Sequence, residues 1–289
     1  HLPNGLSSAP RRIDSNAGMR NLFFLSTGKM RVPAFVFSES PVSDIFRGLT
    51  LSATVAVVER TNGDVALVDV GWSEATCEDP SRELGVLRKQ TLGVVLRAGD
   101  SALSQLSARG IPRDRVTHIV ATHLHLDHIG GAVDFPNAEV VCGAAEYPAW
   151  KEKSSSGYRP KDLSKSGKIR PVDVSHPVDL FGDGSIVLVN APGHTRGGLF
   201  VGIANGTDRF VHVGDAAYQE WEYQKGKATL FARTLGDDPK KLPARFEDGN
   251  EQLVPGKQDV RARALRAERR VGWVIVDRPV AAEAAPMRD

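Results

Sequence analysis

Apolar positions along this chain come mostly in short runs separated by turn chemistry, a pattern that predicts strands more often than helices. Ala53-Thr54-Val55-Ala56-Val57-Val58 is one such run, Thr61-Asn62-Gly63-Asp64 supplies a turn, and Val65 to Asp69 returns, so residues 52 to 69 predict a hairpin with Gly71 just beyond it. Ser101 to Arg109 predicts a helix capped by Asp100 and closed by Gly110. Arg115 to Ala121, Ala138 to Cys142 and Gly184 to Asn190 predict further strands, with a helix over Ala144 to Glu152. Lys153 to Lys168 is rich in Ser, Lys and Gly and reads as a mobile loop. Leu199 to Ala204 and Arg209 to Val213 predict a second hairpin about Asn205-Gly206. Residues 225 to 258 are polar. After them, Val260 to Arg270 predicts a charged amphipathic helix capped by Asp259, and Trp273 to Val276 a last strand. Strands with helices between them imply a layered α/β domain.

Composition narrows this picture a little. The chain's 289 residues are 41% hydrophobic and 25% charged, enough to bury a core without disulfide staples. Its 37 Lys and Arg against 35 Asp and Glu give a net charge of +2, which points to no nucleic-acid or membrane partner. No apolar run approaches the ~20 residues that span a bilayer. Cys77 and Cys142 are too few for a disulfide framework and suit a reducing compartment; Cys142 sits in an apolar run and reads as core. His1 to Ala17 is polar and rich in Ser, Pro and Arg, so residues 1–18 read as an expression-tag remnant and Met19 as the natural start. The expectation is a single domain over 19–289, working in the cytoplasm on a small molecule, with the oligomeric state open.

The chemistry concentrates in one place. Four of the eight histidines fall between His118 and His128, and His123, His125, Asp127 and His128 stand within six residues. Neutral imidazole and carboxylate are the usual ligands of zinc, and of iron and manganese as well. In an extended stretch residues 123, 125 and 127 point to one side, and a bend at Asp127 would bring His128 round. Gly130-Gly131 supplies freedom for the turn that follows. His194, in a Pro192-Gly193-His194-Thr195 turn, and Asp215, in Val213-Gly214-Asp215, each follow a predicted strand. One metal needs about four donors and a pair needs more, so both join the candidate set. His118 and His212 lie inside strands, and His212 has the opposite parity to Asp215, so it should face elsewhere. His176 precedes the strand that leads to His194, in a loop that could pass near the site.

The segment Thr122 to Gly131 resembles the HxHxDH signature of the metallo-β-lactamase superfamily, and the resemblance runs from about Leu51 to Tyr218. It implies an αββα sandwich with the site at one edge. It also implies that His123, His125 and His194 hold one metal, and that Asp127, His128 and a bridging Asp215 hold a second. Asp69 would stand behind them, orienting a ligand or its loop. The cofactor implied is one or two zinc ions. The superfamily usually adds a last His near the C-terminus, but no histidine follows His212. Asp277, after the strand over Trp273 to Val276, is a possible replacement, whereas Arg278 beside it would oppose a metal.

The reaction implied is hydrolysis by a metal-bound hydroxide, with Asp127 steering the nucleophile and passing its proton to the leaving group. The chain has no Gly-x-Ser-x-Gly elbow, which removes one serine-hydrolase reading. Asp215-Ala216-Ala217-Tyr218 resembles the N-acyl-homoserine lactonases, where a tyrosine hydroxyl at this spacing assists the carbonyl oxygen. Glu146-Tyr147 and the long segment before Asp100 look similar to those enzymes too. Trp221 and Tyr223 either line an acyl pocket or pack. The expectation is a lactone or ester hydrolase. The alternatives are a thioesterase, phosphodiesterase or β-lactamase of the same superfamily, or a weakly active or non-catalytic binding protein disabled by its missing His.

Overall fold

The structure, a computed structural model, describes residues 18–39, 41–153, 157–159, 163, 166–205, 208–218, 222, 229 and 230. The predicted helix over Val260 to Arg270, the strand over Trp273 to Val276, and Trp221, Tyr223, Asp277 and Arg278 lie outside these residues.

The predicted hairpin forms as β2 (Gly48–Arg60) and β3 (Val65–Val68), which pair antiparallel. The Arg60 N–H donates to the Asp64 carbonyl at 2.8 Å, and Gly63 takes the positive φ that closes the turn. On the other side of β2 runs β1 (Met19–Pro33), which pairs with it along almost its whole length. Sequence reading missed this 15-residue strand. Its burial does not alternate, and its register slips between Ser26 and Lys29, so it carries no period-two signal. The short β4 (Val94–Val95) covers its outer edge. Beyond β3 the sheet continues in parallel through β5 (Val116–Val120), β6 (Glu139–Gly143) and β7 (Ile169–Val172).

A second, antiparallel sheet holds β8 (Val178–Asp179), β9 (Ile186–Asn190), β10 (Leu199–Asn205) and β11 (Asp208–His212). Residue parity decides which layer each side chain joins. Ala56, Val58, Ala66 and Val68 point toward Ile186, Leu188, Val201 and Ile203, making an apolar core between the sheets. Val55, Val57, Val65 and Leu67 point the other way, onto Ala102 and Leu106 of α4 (Ala102–Ser107) and Ala149 and Trp150 of α6 (Glu146–Lys151). These layers run helix, sheet, sheet, as in the expected α/β sandwich. Both cysteines are buried and free, and Cys142 is core as expected.

Three details correct the sequence reading. Helix α4 is capped by Ser101, whose hydroxyl accepts from the Ser104 N–H at 3.0 Å. Asp100 closes the preceding turn instead, accepting from the Arg97 N–H at 2.9 Å. Three short helices, α1 (Glu74–Glu78), α2 (Pro80–Leu84) and α3 (Val86–Thr91), fill a stretch that gave no apolar period. Their signal was in the caps, Ser73 for α1 and Asp79 followed by Pro80 for α2.

Asp134 gives a pH test of this layer. It accepts from the Glu74 N–H at the start of α1, and burial, only partly offset by that bond, pushes its carboxyl up to about 6. A carboxyl raised on folding adds stability below its unfolded value and loses it as pH rises through the folded one. Asp134→Asn, which keeps the acceptor, is therefore expected to stabilise the chain at pH 8 by about 1–2 kcal/mol and to give no gain at pH 3. Urea midpoints at the two pH values measure this, and an equal change at both would sink it.

Candidate metal centre

Four chain segments end at the same edge of the sandwich. Asp69 follows β3, His123 to His128 follow β5, His194 lies between β9 and β10, and Asp215 follows β11. Backbone hydrogen bonds tie these ends together. The Asp69 N–H donates to the Val120 carbonyl, Val70 to His128, and Leu199, which opens β10, to Thr122, each at 2.8 Å. The last of these joins the two sheets directly beside the histidines.

His123 follows the end of β5 in a bend, His125 is extended, and α5 (Leu126–Ile129) then begins. The chain thus turns by entering a helix at Leu126 rather than by a bend at Asp127 alone. Gly130 and Gly131 continue helically into a short 3-10 turn and need no left-handed conformation. Gly131 is needed for close approach: a Cβ there would lie 2.9 Å from the Val70 carbonyl oxygen.

The side chains converge. One donor atom each from His123, His125 and His194 lie within 4.8 Å of one another, and so do donors from His123, His128 and Asp215. His194 Nε2 stands 3.1 Å from His125 Nδ1 and 3.7 Å from Asp215 Oδ2. Asp215 Oδ1 is 3.1 Å from His128 Nε2. Asp127 is at the edge of the group, its Oδ2 3.7 Å from His128 Nε2, and belongs to neither compact set.

Asp69 sits behind this cluster, 1% exposed and in left-handed backbone, which Asp tolerates better than most residues. It accepts from the Thr122 N–H at 2.8 Å, from the Thr122 hydroxyl at 2.9 Å, and from His128 Nδ1 at 2.7 Å. The Thr122 proton is committed to Asp69, so the same hydroxyl accepts from His123 Nδ1 at 3.2 Å. That fixes the tautomer and leaves His123 Nε2 a bare lone pair, buried and without a hydrogen-bond partner. An orphaned imidazole nitrogen facing two other imidazoles and a carboxylate is what a metal ion would satisfy.

The electrostatics agree with the geometry. Burial holds His123 and His125 well below the usual histidine range, and the neighbouring imidazoles add to it, so both are neutral donors. Burial acts in the same sense on His128, but Asp215, Asp69 and Asp127 outweigh it and raise it well above that range. Tyr218 is 2% exposed, donates to Asp215 Oδ2 at 3.0 Å, and packs edge-on against Phe37 at 5.0 Å. Burial and Asp215 together push its phenol well up, so it stays protonated.

His212 departs from expectation. It lines a small cleft together with Asp127, His128 and Asp215, although strand parity turned it away. Parity stops applying where β11 ends, because Gly214 takes φ +52° and reverses the chain. The His212 ring bridges two segments: Nε2 donates to the Thr54 carbonyl at 3.2 Å, and Nδ1 accepts from the Gly214 N–H at 3.3 Å. It thereby fixes the turn that carries Asp215. His118 faces Phe181 and Glu139, and His176 is an exposed loop residue.

Residues 49–242 match the family model of the metallo-beta-lactamase superfamily. The chain belongs to that superfamily. Among similar members, a probable metallo-hydrolase of Mycobacterium tuberculosis is 35% identical over 187 residues, 59% of this chain and 58% of that protein. The chain thus spans less than two thirds of that relative's length. An N-acyl homoserine lactonase of Rhizobium radiobacter is 33% identical over 185 residues, 60% of this chain and 68% of that protein. The fold also matches a solved N-acyl homoserine lactone hydrolase with N-hexanoyl-L-homoserine at its catalytic metal centre. The TM-score is 0.66 at 18% identity, over 79% of this chain and 86% of that one. As a member of this superfamily the chain carries a divalent-metal fold, and its His and Asp groups are placed to hold such an ion.

Proposed function

We propose that this metallo-beta-lactamase member is a zinc-dependent hydrolase that opens a lactone or ester bond. The convergence of His123, His125, His194, His128 and Asp215 about the unpartnered His123 Nε2 carries the reading. The lactonase relatives support the substrate class. His123, His125 and His194 would hold one ion, and His128 and Asp215, with Asp127 at the rim, a second. A bound metal of this kind supplies hydroxide at neutral pH and polarises the carbonyl under attack.

The chain's own residues do the rest. Asp127 stands partly exposed at the rim, placed to take the nucleophile's proton at Oδ2 and pass it to the leaving alkoxide. Tyr218 keeps its phenolic proton, given to Asp215 here, and would turn it from Asp215 to the developing carbonyl oxyanion when substrate is bound. Asp69 holds His128 by Nδ1, so that Nε2 points inward. Among the described residues no helix is long and apolar enough to cross a membrane, and both cysteines are free. Cytoplasmic action on a small molecule is part of the proposal.

The second ion should be held more weakly than the first, since the first has three converging imidazoles while, among the described residues, the second has His128 and Asp215 close and Asp127 standing apart from the compact set. Losing one direct ligand should cost at least the about 10–100-fold seen for an orienting partner. Metal per chain after dialysis against metal-free buffer should approach one, and addition of zinc should restore lactone hydrolysis. Lactone, thioester, phosphodiester and β-lactam substrates are then compared on the loaded protein. No bound metal would end the metalloenzyme reading, and turnover of thioesters, phosphodiesters or β-lactams ahead of lactones would end the lactonase reading.

A further inference from the structure

Glu146 is the most deeply buried acid among the described residues outside the ligand cluster, 0% exposed in the first turn of α6. Nothing in the reaction above uses it. Its Oε1 accepts from the Leu124 N–H at 2.9 Å and from the Tyr158 hydroxyl at 2.9 Å. Its Oε2 accepts from the Gly197 N–H at 3.0 Å. Leu124 lies between His123 and His125, and Gly197 is three residues past His194. The Tyr158 ring packs against the His125 ring at 4.8 Å, and the backbones of the two residues form a β-bridge. One carboxylate therefore holds every segment that carries or braces the three-histidine set.

The surroundings are shaped for this contact. A Cβ on Gly197 would lie 2.1 Å from the Glu146 nitrogen, and one on Gly143 would lie 2.2 Å from the Gly197 carbonyl oxygen. The loop after His194 can sit on Glu146 only because both positions lack side chains. Burial raises the Glu146 pKa, while donation from Leu124, Tyr158 and Gly197 pulls the other way. The Thr195 hydroxyl lies beside the carboxylate without closing a hydrogen bond. Among the described residues no cation pairs with Glu146. A buried carboxylate costs folding energy unless its lone pairs are filled, and here two backbone N–H groups from separate loops fill them.

We infer that Glu146 is a positioning residue, a clamp that sets the distance between the His123–His125 loop and the His194 loop and so tunes the first metal site. The inference rests on the metal-site reading above. Glu146→Gln keeps the size of the side chain but turns an amide N–H₂ toward one of these donors. The first metal is expected to bind about 10–100-fold more weakly, the effect typical of groups that orient ligands. The ligand-field absorption of the cobalt-loaded variant should also shift from the parent's. A role in folding alone would lower the melting temperature of the metal-free chain and leave both metal readouts unchanged.

Tyr158→Phe supplies a milder variant should Glu146→Gln fail to fold. It removes one donor and keeps the ring on His125, and a loss of about 2–10-fold in metal affinity is expected from one hydrogen bond. Parent-like affinity and cobalt spectrum in the folded variants would overturn the clamp while leaving the metal site standing. A parent chain that binds no metal would overturn both.

Discussion

Asp127→Asn is expected to lower kcat on the best lactone substrate by about 10²–10⁴-fold, the usual worth of a general acid–base group. The variant should unfold within about 0.5 kcal/mol of the parent, as surface changes usually do. The asymmetry follows from where Asp127 stands. It is partly exposed at the rim, belongs to neither compact donor set, and approaches His128 Nε2 only to 3.7 Å. Asparagine fits the same space but cannot accept the nucleophile's proton. The comparison needs kcat and a denaturant midpoint on the same preparation at fixed zinc. A parent-like kcat would remove Asp127 from the mechanism.

Asp69→Asn is expected to damage stability and metal binding together. Its two oxygens receive the Thr122 N–H, the Thr122 hydroxyl and His128 Nδ1, all in a fully buried setting. An amide keeps one oxygen and aims an N–H₂ at a donor, so a loss of about 2–4 kcal/mol in unfolding free energy follows from buried, unsatisfied groups. Metal affinity should fall about 10–100-fold, because His128 loses the partner that fixes its ring and His123 loses the committed Thr122 proton that sets its tautomer. Urea unfolding of the metal-free chain and zinc titration measure the two effects separately. Unchanged zinc affinity in a destabilised variant would reduce Asp69 to a structural role.

The cluster of His and Asp residues was legible because its residue types are rare and their spacing is tight. His123, His125 and His128 needed no tertiary information, and His194 and Asp215 could be added because each follows a strand. The β2–β3 hairpin was legible for the same kind of reason, a polar Asn62-Gly63 turn between two apolar runs. Strand β1 was not, because a bulge near Gly28 and scattered polar positions erase its alternation. His212 was misread because the parity rule was carried past the end of its strand. Glu146 was seen only as part of a resemblance, since nothing local in the sequence marks a side chain whose partners lie at Leu124 and Gly197. Asp277, the possible replacement ligand, lies outside the described residues.

The bond from Leu199 to Thr122 has a consequence for how the protein is made. The first sheet alone can gather Asp69, His123, His125 and His128, but His194 and Asp215 arrive only when the second sheet docks. These pairings are distant in sequence and therefore slow to form. Zinc supplied during refolding should be captured late, after an interval in which the first three imidazoles are assembled but incompletely surrounded. The ion would then act as a latch on the finished sandwich, binding the native chain and slowing its opening, with no part in guiding the early chain.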